Sequence, residues 1–204
     1  RGLATTREKA QALLMAGQVL VDGLRVTKAG AIVPSGAGIE LAGRLPYVSR
    51  GGVKLAHALD TFNLSSSGAV ALDVGASTGG FTDCLLQRGA RRVYALDVGH
   101  GQLDFTIRKD PRVVVMEHVN ARYPLALPES VDLATVDVSF ISLNKVLPSV
   151  VEHIRASAPV VALVKPQFEA LQHEVGKGGV IRDPAVHATV LINGIVFRSL
   201  NSGS

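Results

Sequence analysis

From residue 69 onward, apolar β-branched runs and helix-like segments alternate along the chain. A-V-A-L-D-V (69–74), R-V-Y-A-L-D (92–97), R-V-V-V-M-E (112–117), V-D-L-A-T-V-D (131–137) and P-V-V-A-L-V-K (159–165) read as strands. Helical patterns fall over 81–88, ended by Gly89, then over 102–108, 143–156 and 186–197. Strands that are apolar on both faces must be covered on both faces, and only crossover helices do that. The expectation is an α/β domain with a mostly parallel sheet. No internal repeat or low-complexity tract interrupts it.

Residues 1–45 have a different character. Thr5 and Glu8 have T-x-x-E capping-box spacing, R-E-K-A-Q-A-L-L-M-A follows, and Gly17 is a helix stop. Asp22-Gly23 between V-L-V and L-R-V is a hairpin signal, and I-E-L (39–41) adds a strand. This small α+β module carries a net charge of +3, against +1 for the rest of the chain. That bias suggests a polyanion-binding appendage, and an ordinary solvated surface explains it equally well. The expected divisions are 1–45, a linker and leading helix over 46–68 (helix near Val53–Phe62), and 69–204.

Composition narrows the function classes. The 204 residues are 47% hydrophobic and 19% charged, ample for a core. Cys84 is the single cysteine, so disulfide frameworks and cysteine-rich zinc sites are excluded, consistent with a reducing compartment. No apolar run approaches the roughly 20 residues of a membrane helix, and no signal-peptide core is visible. These readings predict a cytoplasmic protein that does not engage a membrane. His173-Glu174 lacks the second histidine of H-E-x-x-H, and no G-x-S-x-G elbow occurs.

The first strand of the alternating region runs into D-V-G-A-S-T-G-G-F (73–81). Ser77 breaks the G-x-G-x-x-G dinucleotide fingerprint. Gly75 and Gly80 have phosphate-loop spacing, but Phe81 replaces the lysine that would hold a triphosphate. What remains is a turn of backbone amides, three glycines, Ser77 and Thr78, with Asp73 at its start. Asp97 ends the next strand 22 residues after Gly75, placed to accept from a ribose diol. A ribose, a cationic centre and no polyphosphate together describe S-adenosylmethionine. The competing reading is that the glycines only permit tight strand–helix packing.

Two further residues end strands. Asp137 and Lys165 would lie beyond the carboxyl edge of the sheet, where α/β sheets bind ligands. Lys54 precedes the first central strand. Methyl transfer to a hydroxyl needs an acceptor for the departing proton. A lysine of ordinary pKa is neutral roughly once in 2,500 at pH 7, a penalty of about 4–5 kcal/mol. Burial and a second cation such as Lys54 would lower that penalty, and Asp137 could orient Lys165 through a hydrogen bond. The plainer alternatives are that Lys165 snorkels to the surface and Asp137 caps a helix.

These motifs resemble a known family. D-V-G-A-S-T-G-G-F-T-D, D-V-G-H-G-Q-L, N-A-R (120–122), D-V-S-F-I-S, L-V-K-P-Q-F-E and V-G-K-G-G-V-I-R-D are similar to the TlyA/hemolysin-A family of FtsJ-like RNA 2′-O-methyltransferases. T-R-E-K-A-Q-A-L-L-M-A-G-Q-V-L-V-D-G resembles the ribosomal-protein-S-four-like RNA-binding domain that precedes the catalytic domain there. The resemblance implies a Rossmann-like methyltransferase domain and ribosomal RNA as partner. It implies that Lys54, Asp137 and Lys165 are three of the family's Lys-Asp-Lys-Glu catalytic set. It places cofactor contacts over Gly75 to Phe81 (Gly75, Ser77, Thr78, Gly79, Gly80 and Phe81), at Asp97 and Val98, and near Asn120; Asp73, at the start of the turn, and Asp137, at a neighbouring strand end, join them as expected cofactor contacts. RNA contacts are expected from Arg7, Lys9, Arg25, Lys28, Arg50, Lys177 and Arg182. The family's glutamate has no match, and the last strands of the fold are expected to be missing. The glycine-rich stretch Gly176–Asp183 reads equally as a substrate lid or a plain loop. Two other functions remain to be weighed, a non-catalytic RNA-binding or ribosome-assembly factor and a membrane-active hemolysin.

Overall fold

The computed structural model describes residues 2–41, 43, 46–170, 175, 176, 181, 183–186, 188 and 189. Lys177, Arg182 and, of the expected tail helix, all but residues 186, 188 and 189 lie outside them. The chain divides into two compact units, Arg1–Pro46 and Tyr47–Ser204.

In the first unit, helix α1 (Arg7–Met15) begins at Thr6, whose side chain accepts from the N–H of Lys9. The cap is therefore Thr6, not Thr5, and the expected capping box does not form. The sequence T-T-R-E-K offers two hydroxyls one register apart, and Thr6, in extended backbone conformation, is the one whose hydroxyl caps the helix. The helix ends as predicted. Gly17 is left-handed, and its N–H and that of Gln18 return to the carbonyls of Leu14 and Leu13. Strands β1 (Val19–Val21) and β2 (Leu24–Val26) form the hairpin, with positive φ at both Asp22 and Gly23, as a type I′ turn requires. Strand β3 (Ile39–Leu41) pairs on the other side of β1. Asp22 also pins the incoming chain by accepting from the N–H of Gly38.

The second unit opens with α2 (Arg50–Thr61), which starts three residues earlier than expected. Its first turn contains Gly51 and Gly52, which read as linker in the sequence. They are helical because the N-terminus of α2 is pressed against α3 (Gly80–Gln87). A Cβ on Gly52 would sit 2.4 Å from Tyr47 and 2.7 Å from the carbonyl of Gly80, so glycine is required there despite its low helix propensity.

The five-stranded sheet consists of β4 (Val70–Val74), β5 (Arg92–Leu96), β6 (Val113–Met116), β7 (Leu133–Val136) and β8 (Val160–Ala162). All pairings are parallel, in the order β6-β5-β4-β7-β8. The order reverses direction at β4, which creates a crevice between the carboxyl ends of β4 and β7. Both faces are apolar, as the continuous runs predict. Leu55, Leu59, Phe81, Leu85 and Ile107 cover one face, and Leu143, Val146, Leu147 and Val150 the other. Burial of this kind contributes about 1.5–3 kcal/mol for each large side chain.

Two helical elements and one strand are shorter than the sequence pattern suggests. Helix α4 is Phe105–Arg108, capped by Asp104. The 143–156 pattern divides into a 3₁₀ turn, Leu143–Lys145, and α5, Leu147–Val151. Pro148 has no N–H to continue a helical ladder from the preceding turn, so the ladder breaks there. Strand β8 stops at Ala162, and Lys165 is instead the N-cap of α6 (Pro166–Glu169). Extended backbone continues between them, since the N–H of Leu163 still donates to Val136.

Candidate active site

The glycine turn lies in the crevice. Gly75 is left-handed, and a Cβ there would come within 2.6 Å of the Asp137 carbonyl oxygen. The N–H groups of Gly75 and Ala76 both donate to the carbonyl of Leu96, so the turn is tied to β5. Gly79 is also left-handed and packs against Leu103. A cleft of about 390 Å³ opens beside the turn. Ser49, Arg50, Lys54, Ser77, Thr78 and Asp137 are among its lining residues.

Asp97 holds the turn from the neighbouring strand. Its Oδ2 accepts from the N–H of Ser77 at 2.7 Å, and its Oδ1 from the N–H of Gly99 at 2.7 Å. Each carboxylate oxygen has a second acceptor direction left for a ligand hydroxyl. Val98 beside it is 64% exposed. The loop carrying both is fastened to the end of β6. Glu117 accepts from the N–H of Gly101, pairs with His100 and receives Arg108. His100 stacks on His118, and the N–H of Val119 donates to the Asp97 carbonyl. Arg108 and the glycine N–H hold the Glu117 carboxyl below its usual range, with Arg108 the largest influence. Asn120 follows directly, and its Oδ1 accepts from the N–H of Arg122.

Asp73 does not face the cleft. It is fully buried, with one oxygen receiving Thr82 at 2.6 Å and the other Thr135 at 3.0 Å. The two-residue period of β4 turns its side chain toward α3 rather than beyond the strand end. Burial pushes its carboxyl up to about 6, against the opposing pull of the two threonines, and nearby Asp137 adds to the rise. Its place is beneath the turn, where it joins β4, β7 and α3. Phe81 is also buried, at 6% exposure, but it lines the cleft.

Asp137 and Lys165 meet. Asp137 Oδ1 lies 2.7 Å from Lys165 Nζ, and both side chains are roughly one-fifth to one-quarter exposed. The contact is an ion pair whose angle is not that of a hydrogen bond; the directed bond of Lys165 Nζ goes to Ser139 Oγ at 2.8 Å. Ser139 is thus a partner that the sequence reading missed, although D-V-S-F contains it. Lys54 is exposed on α2, one turn in from Gly51, and lines the same cleft as Asp137.

In the N-terminal unit, Arg7, Lys9 and Lys28 are exposed. Arg25 is exposed too, and also reaches back to donate to the Gly17 carbonyl at the end of α1. Among the described residues, no three histidine, cysteine, aspartate or glutamate side chains cluster to hold a metal. None of the described helices is long and apolar enough to cross a membrane.

Residues 47–202 match the model of the FtsJ-like methyltransferase family. This chain belongs to that family. Residues 1–39 of this FtsJ-like methyltransferase match the S4 domain. The rRNA (cytidine-2′-O)-methyltransferase TlyA of Mycobacterium tuberculosis, which acts on 16S and 23S rRNA by name, is 47% identical over 92% of the chain and 72% of its own length. Hemolysin A of Brachyspira hyodysenteriae is 43% identical over 95% of the chain and 82% of its own. A solved structure from Streptococcus thermophilus, provisionally termed a hemolysin, superposes with a TM-score of 0.75 at 46% identity, covering 96% of this chain and 73% of that one.

Proposed function

We propose that this FtsJ-like methyltransferase moves the methyl group of S-adenosylmethionine to a ribose 2′-hydroxyl of ribosomal RNA in the cytoplasm. The observation that carries the reading is the Lys165–Asp137 pair at the strand end adjoining the glycine turn. The cleft and its margin suit the cofactor: a turn without a phosphate-binding lysine, lining residues that include a carboxylate and cations, and Asp97, bonded to the lining residue Ser77, to accept from a ribose. Gly75, Ser77, Thr78, Gly79 and Gly80 would form its cradle. Val98 and Asn120 would flank the adenosine.

The cofactor supplies an electrophilic methyl group on a sulfonium, whose C–S bond breaks as the new C–O bond forms. Lys165, in its neutral form, takes the proton leaving the 2′-hydroxyl. Ser139 and Asp137 hold Nζ in place and stabilise the ammonium that results. Lys54, with Arg50, would steer the RNA backbone toward the cleft. Arg7, Lys9, Arg25 and Lys28 of the S4 domain would contact phosphates, together with Lys177 and Arg182. Such contacts supply affinity and register rather than sequence choice.

The test is transfer of labelled methyl to ribosomal RNA by the full-length protein, followed by digestion to nucleosides. The reading predicts label on the ribose of 2′-O-methylnucleosides. Label on a base, or none with the cofactor unbound in calorimetry, would overturn it. The second of these results would leave RNA binding without catalysis.

A further inference from the structure

The β7–α5 loop carries Asp137 and Ser139, and the β8–α6 segment carries Lys165. They are joined at a second place, away from the cleft. Glu169, the last residue of α6, accepts from Ser142 Oγ at 2.6 Å and from the N–H of Leu143 at 2.8 Å. Ser142 is itself the N-cap of the 3₁₀ turn, so one carboxylate grips both the cap residue and the first N–H of the turn. Between the two joints, Phe140 and Phe168 pack with ring centroids 5.1 Å apart. Phe140 is 91% exposed and has a positive φ of 64°, so this ring contact lies at the surface.

The last backbone bonds of the sheet on these segments run from the N–H of Asp137 to Val74 and from the N–H of Leu163 to Val136. Ser139 and Lys165 lie past them. Side-chain contacts between the two segments therefore help to set the distance from Lys165 Nζ to its two oxygens. We propose that Glu169 is a positioning residue for methyl transfer, acting as a clamp that keeps the Lys165 segment in register with the Asp137 loop. This deepens the function proposed above and rests on Lys165 being the base. A geometry loosened by even an ångström reduces the rate of a positioned proton transfer, while the glycine turn stays tied to β5 through the N–H groups of Gly75 and Ala76.

The full-length Glu169→Ala variant tests this. The expected result is a kcat lowered by about 10–100-fold, with the KM and calorimetric affinity for S-adenosylmethionine within twofold of wild type. Glu169→Gln, which keeps one acceptor oxygen, should recover part of the rate. Ser142→Ala, which removes one of the two bonds, should fall between wild type and Glu169→Ala. An unchanged kcat in Glu169→Ala, alongside an inactive Lys165→Ala, would overturn the clamp but keep the base. Equal losses in kcat and cofactor affinity would also overturn it, by showing a general structural role. An active Lys165→Ala would instead remove the reading on which the clamp depends.

Discussion

Asp97 and Ser77 are joined by a 2.7 Å hydrogen bond from the serine N–H to the aspartate Oδ2. The residue proposed to receive the cofactor ribose therefore also braces the turn that receives the rest of the cofactor. Asp97→Ala should lose both functions. Hydrogen bonds to a charged group contribute about 1.5–3 kcal/mol, so affinity for S-adenosylmethionine should fall by about 10–100-fold in calorimetry. Asp97→Asn should lose less, because its amide oxygen can still accept from one of the two N–H groups. Equal affinity in wild type and Asp97→Ala would remove Asp97 from the site.

Glu117 reaches the same loop from β6. It is expected to matter for the cofactor without touching it, through its bonds to Gly101, His100 and Arg108. Glu117→Ala should weaken cofactor binding by about 5–30-fold, the effect of losing 1–2 kcal/mol of loop order. Thermal unfolding should shift only slightly. A large drop in melting temperature with unchanged affinity would contradict this role.

Asp73 should make stability depend on pH. Its carboxyl is raised in the folded state, to about 6, so folding is favoured when it is protonated. The contribution is greatest below the ordinary value of about 4 and declines as pH rises to about 6, then stays level. A shift of two units corresponds to about 3 kcal/mol, roughly half of which falls between pH 5 and pH 8. Asp73→Asn should lack this decline. Denaturant midpoints at the two pH values would show the variant gaining on wild type as pH rises. A constant difference between them would contradict the assignment.

The sheet was legible in the sequence because each strand is a local apolar run. The crevice followed from the glycine turn and from Asp97 and Asp137 at strand ends. The remaining features depend on partners distant in sequence. Gly52 looked like part of a linker because the reason for it is Tyr47 and Gly80, the latter on another helix. Asp73 looked like a ligand residue because the pattern showed its place in the strand but not Thr82 and Thr135 on either side. Glu169 drew no notice, since its two bonds reach back 26 and 27 residues. The extent of α5 was overestimated because periodicity outweighed the effect of Pro148.

The central claim is that Lys165 removes the proton from the methyl acceptor. Single-turnover methyl transfer from labelled S-adenosylmethionine to ribosomal RNA, compared between full-length wild type and Lys165→Ala, tests it most directly. The account predicts a rate lowered by at least about 100-fold, the usual contribution of a general base, with cofactor affinity preserved. Transfer at the wild-type rate by Lys165→Ala would contradict it.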